Sequence, residues 1–185
     1  MRDRALTRCI IAVSLLFIIA SLTGYLVPLQ LKEGMARDLS HIFAPLKELS
    51  LPAVLLFIFL NNALKGLIAI LLGCFFGVIP IIFVAGNGYL LGLLISFSLP
   101  QIGLKGTALR ILPHAIFEIP AFLIAVGCGL WLGIKFIGKI RRHNPFTPYL
   151  SLSLKYYVRV LVPLFLAAAM IETFLTPLIA GVSLR

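Results

Sequence analysis

From Leu109 to Gly138 the chain is apolar for longer than an ordinary core helix needs, yet it holds a histidine and a carboxylate. His114 and Glu118 lie four apart, so they share one helix face, and Pro113 and Pro120 bracket them. Hydrocarbon is a poor solvent for a carboxylate, and an acid inside a span needs partners and commonly serves a function. Such a segment restricts the chain to a membrane-spanning helical architecture, because every backbone amide in lipid must be satisfied within the protein.

The rest of the chain agrees. Over 185 residues, 61% are hydrophobic, 12% are charged and the mean hydropathy is +1.12. A soluble domain of this length could not hide so much apolar surface. We read a single integral membrane domain, all-α, a polytopic transmembrane bundle of about five spans with kinked or broken helices. The spans are placed at about 9–27, 62–84, 88–99, 109–138 and 156–182. The net charge of +10 sits mainly beside apolar segments. It points to anionic lipid at the cytoplasmic face and excludes nucleic acid as a partner. Cys9, Cys74 and Cys128 lie in apolar runs without a CxxC pair, and read as small packing residues.

Orientation follows from the bases. Arg2, Arg4 and Arg8 precede the first span. The segment 139–155 carries Lys139, Arg141, Arg142 and Lys155 with no acid, the strongest cytoplasmic-loop signal in the chain. Leu29–Ser50 balances Lys32, Arg37 and Lys47 against Glu33, Asp38 and Glu48, with apolar residues at helical spacing. It reads as an amphipathic outer segment. Leu51–Val84 is too long for one upright span, and a break is expected near Asn61-Asn62. Ala85-Gly86-Asn87-Gly88 reads as a turn and Pro100–Gly106 as a loop. The chain end falls outside and the protein is placed in the cell membrane as a multi-pass protein.

Three small-residue pairs, Gly73 and Gly77, Gly88 and Gly92, and Gly129 and Gly133, match the spacing that lets helix backbones approach closely in lipid. They predict tight packing, within the chain or across a homodimer. In this orientation Glu118 and Glu172 fall in the outer half at similar depth, and Lys65 near them. We therefore expect an intramembrane polar site of Asn62, Lys65, His114, Glu118 and Glu172, with Lys65 neutralising one carboxylate and His114 hydrogen-bonded to Glu118. One histidine on that face lacks the second that an HExxH zinc site requires, and no serine has a GxSxG setting. No catalytic residue, metal or cofactor is expected, and the chain is not read as an enzyme.

Several motifs together resemble the stage II sporulation protein M family. They are Asn61-Asn62 before a glycine-rich span, Gly86-Asn87-Gly88 followed by Gly92, Pro113-His114-Ala115-Ile116-Phe117-Glu118, and Ile171-Glu172-Thr173-Phe174. The family usually has glycine where Ala115 stands. The resemblance implies a multi-span helical protein. Sporulating bacterial members anchor a complex that remodels peptidoglycan, while many relatives occur in organisms without sporulation. The expected function is a non-enzymatic scaffold or anchor for a complex with unidentified membrane or cell-envelope proteins. The alternative is a small transporter or channel-like protein using the His/Glu site.

Overall fold

The computed structural model describes residues 3–28, 49–143 and 145–179, and these are helical apart from short connections. The amphipathic segment read at 29–50 therefore lies, except for its last two residues, outside the described residues. Four helices are long and apolar enough to cross a membrane: α1 (Arg4–Tyr25), α2 (Leu51–Cys74), α3 (Val78–Arg142) and α4 (Thr147–Ile179). The expected five separate helices are thus four, and Tyr89–Leu99 belongs to α3.

Helix α1 starts where Asp3 accepts a hydrogen bond from the Ala5 amide at 2.8 Å, which satisfies one of the amides left free at a helix start. Val13 and Phe17 face the core, while Ile11, Leu15, Ile18, Ile19 and Leu22 are each more than half exposed. An apolar face of that extent is suited to lipid.

Helix α2 runs straight through Asn61-Asn62, where a break was expected. The break falls later. Leu72–Cys74 tightens into a 3-10 turn, and Phe76 and Gly77 take φ of 55° and 77°. Gly77 there begins α3 in the left-handed region, which glycine enters without the steric cost of a Cβ. Asn62 does not interrupt the helix because it points into the bundle and is buried. A helix keeps its own backbone satisfied, so polarity in a side chain is no reason to open it.

Straight, the 65 residues of α3 would reach ~98 Å. Gly103 leaves helical geometry with φ 66° and ψ 178°, a region available essentially to glycine alone. Thr107 donates its hydroxyl to the Gly103 carbonyl at 2.9 Å. Pro80 lies on Gly129 and Gly77 on Gly133, while Leu91 and Leu94 share a cavity wall with His114 and Glu118. These pairs nest around Gly103, so α3 doubles back there into two antiparallel limbs. The loop expected at Pro100–Gly106 shrinks to this one residue. The turn expected at Gly86-Asn87-Gly88 is continuous helix, in which Asn87 donates to the Phe83 carbonyl at 2.8 Å. Gly88 serves approach instead of turning: a Cβ there would meet the Phe17 carbonyl of α1.

Helix α4 contains two π-helical turns, Tyr157–Leu161 and Ile171–Leu175, each just ahead of a proline, Pro163 and Pro177. Proline cannot donate to the carbonyl four residues back, and a widened turn accommodates the missing bond. The first turn carries Tyr157, whose hydroxyl donates to the Ala63 carbonyl at 2.7 Å and ties α4 to α2. The core gathers Ile70, Leu93, Trp131, Leu132, Leu161 and Phe165, all nearly inaccessible.

Candidate functional site: a polar cleft between three helices

Close packing sets how near the site's helices lie. A Cβ on Gly73 would collide with the Gly129 backbone, one on Gly129 with the Ala69 carbonyl, and one on Gly133 with Gly77 and Gly73. One on Gly92 would meet the Ser21 carbonyl, and one on Gly77 the side chain of Leu130. All six glycines singled out in the sequence thus sit at intrachain contacts. They bring α2 against the second limb of α3, and α1 against the first.

That packing leaves a cleft of about 380 Å³ lined by Asn62 and Lys65 of α2, His114 and Glu118 of α3, and Glu172 of α4. Val54, Phe57, Ile58, Leu91 and Leu94 supply apolar walls. All five polar residues expected from the sequence are in this one lining. Periodicity explains the convergence. Asn62 and Lys65 are three apart, and His114 and Glu118 four apart, so each pair presents one helix face. Glu172 sits on the second widened turn of α4.

The contacts differ in detail from those expected. Among the described residues the ion pair within 4.0 Å is Lys135–Asp3, so Lys65 acts on Glu118 and Glu172 from beyond contact distance. His114 and Glu118 interact through charge and not through a hydrogen bond, and the His114 Nδ1 is buried without a hydrogen-bond partner. Glu118 instead shares the cleft lining with Asn62, while the Asn61 amide donates to Asn62 Oδ1 at 3.2 Å. With its oxygen occupied by Asn61, Asn62 is left to offer its own amide protons to the carboxylate.

Donor atoms of His114, Glu118 and Glu172 lie within 4.8 Å of one another. A second cavity of about 100 Å³, lined by Phe17, Asn87, Ile111 and Phe122 among others, borders the same His114 and Glu118. His114 and Glu118, with Leu91 and Leu94, line both spaces.

A second cluster went unread in the sequence. At the opposite end of the bundle, Trp131 Nε1 donates to Asp3 Oδ2 at 3.1 Å and Lys135 Nζ lies 3.0 Å from the same oxygen. The ammonium also sits 5.2 Å from the Trp131 ring centre and 4.6 Å from that of Tyr149, a cation–π arrangement. The Ala5 amide and then Lys135 hold the Asp3 carboxyl below the usual carboxylate range. The i, i+4 spacing of Trp131 and Lys135 was a usable signal, but nothing local links it to Asp3.

An uncharacterized protein of Methanocaldococcus jannaschii is 32% identical over 180 residues, covering 92% of this chain and 95% of its own length. No solved structure matches. The family model of stage II sporulation protein M matches residues 13–177, which include the whole cleft, and the chain belongs to that family.

Proposed function

We propose that this is a multi-pass protein of the cell membrane that moves protons or a small cationic solute through the cleft. The chain crosses five times, because the two limbs of α3 are each long enough for a ~30 Å hydrocarbon core. The N-terminus and residues 139–155 face the cytoplasm, as acid-free basic segments do. The cleft then opens in the outer half of the membrane. The observation that supports this reading is the convergence of Lys65, His114, Glu118 and Glu172 from three helices on one cleft, with His114 and Glu118 also lining a second cavity. Ionisable groups inside spans mark ion and proton pathways more often than packing devices, and transporters place such groups beside irregular helix turns.

Purified protein in liposomes is the direct test. Under an imposed proton or cation gradient, wild type is expected to dissipate it, and Glu118→Gln to lose the flux at temperatures well below its own melting point. Absence of flux in wild type under every gradient would overturn the reading.

A scaffold or anchor is the second reading, favoured by the other end of the bundle. There Lys139, Arg141 and Arg142 close α3 and offer a basic face to anionic lipid or to an envelope protein, alone or as a homodimer. Neither reading makes the chain an enzyme. Pull-down from native membrane that depends on these three bases, with no flux, would select it.

A further inference from the structure

We propose that His114, Glu118 and Glu172 bind a divalent transition-metal cation, with a further coordination position open to the cleft. This deepens the preceding reading, since it rests on the cleft being a binding site and names what the site holds. Three observations carry it. First, one imidazole nitrogen and two carboxylate oxygens, from α3 and α4, have donor atoms within 4.8 Å of one another. Ligands about 2.0–2.2 Å from a tetrahedral ion stand somewhat over 3 Å apart, so small rotamer adjustments close the set. Second, His114 Nδ1 is buried with no hydrogen-bond partner, and a buried polar atom left so carries a desolvation cost that a ligand would remove. Third, the outer groups are arranged as supports. Asn61 donates to Asn62 at 3.2 Å, and Asn62, its oxygen so occupied, lines the cleft beside Glu118 with its amide protons left to offer, the kind of orienting support that stands behind a ligating carboxylate.

The donor set selects the class of ion. Calcium and magnesium favour six or more oxygen donors, including water. A mixed imidazole and carboxylate set suits zinc, iron or manganese. Charge also enters. Two carboxylates and Lys65 leave the cleft at minus one, so a divalent ion whose open position takes one anionic ligand makes it neutral. Lys65, beyond contact distance of either acid, is free to face that anionic ligand instead of competing for the carboxylates.

The test uses full-length protein in detergent, purified through a tag without histidine. Titration with Zn²⁺ against a chromophoric chelator is expected to show one ion per chain. Glu172→Gln and His114→Ala are expected to abolish it, while the double change His41→Ala and His143→Ala leaves it intact. Asn61→Ala, a positioning change, should weaken binding on the order of 10-fold. Because an acid-to-amide change can also unfold the protein, a second measurement uses Co²⁺ and His114→Cys. A ligating thiolate adds a charge-transfer band to the cobalt spectrum, and its absence in a folded variant overturns the site. So does zinc binding that survives Glu172→Gln or disappears with His41 and His143. Zinc bound without flux in liposomes would sink the transport reading and leave the metal site; flux without zinc binding would do the reverse.

Discussion

Trp131 and Asp3 are 128 positions apart and joined by a hydrogen bond of 3.1 Å. The same carboxylate caps α1 and faces Lys135, so one acid fastens the start of the chain to the far limb of α3. Its removal should be felt in two ways. Asp3→Ala should cost about 1 kcal/mol through the lost cap, plus whatever the partly exposed ion pair adds, which for such pairs is small.

The sign of the pH dependence follows from the same contacts. The folded-state carboxyl of Asp3 is held below its ordinary value, chiefly by the Ala5 amide and then by Lys135. Its contribution is therefore complete above the ordinary aspartate range near ~3.9 and is lost as the pH falls through the lowered folded value. Thermal melts of wild type and Asp3→Asn in detergent should differ at neutral pH and converge in acid. A difference that widened on acidification would show the assignment to be wrong.

Close approach and open space give opposite expectations for glycine. Gly92→Ala puts a methyl onto the Ser21 carbonyl, and Gly73→Ala onto the Gly129 backbone. Neither backbone can yield cheaply, so each should lower the melting temperature by several degrees, with Leu worse than Ala at both. Gly86 has nothing near its missing Cβ, and Gly86→Ala should be neutral or stabilise by up to about 1 kcal/mol through helix propensity. Equal behaviour of Gly86 and Gly92 would argue against the packing of α1 on α3.

Much of the site was legible because it depends on local spacing. His114 and Glu118 share a face by being four apart. Depth counted along the spans brought Lys65 and Glu172 to the same level without any contact being known. The misreadings have a common physical origin. Gly86-Asn87-Gly88 carries the residues of a turn, but in this bundle Gly88 is used for contact with Phe17. Asn61-Asn62 looked like an interruption, yet Asn62 is polar because it faces the cleft. The reversal at Gly103 was spread over Pro100–Gly106, since sequence shows which residues permit a left-handed conformation and not which one adopts it. The Asp3 cluster depends on tertiary contact alone.

The reversal has a topological consequence that can be measured. Leu104 is 76% exposed beside Gly103, and Arg142 ends the same helix. In a background without native cysteines, Leu104→Cys should be labelled by an impermeant thiol reagent from outside and Arg142→Cys from the cytoplasm. Gly103→Ala should cost about 1–3 kcal/mol, since alanine cannot hold its conformation without strain. Labelling of both cysteines from one side would remove the crossing between them.

The cleft itself makes a prediction about coupling. Lys65 lies near Glu118 and Glu172 without touching either, and a space with little water screens charges weakly. Each charge therefore stabilises the other through the cleft. Glu118→Gln removes a partner of Lys65 and leaves its ammonium with Glu172 alone. Lys65→Met leaves two carboxylates facing each other. Either change alone should destabilise, because it leaves buried charge less compensated. With both changes made, one acid remains, still accompanied by His114. The double variant should thus be more stable than the sum of the single costs implies, by on the order of 1 kcal/mol, within the range seen for residues of one network. Denaturation of the four proteins in one detergent measures this directly. Strict additivity would mean that the two groups do not sense each other, and that Glu172 alone balances Lys65.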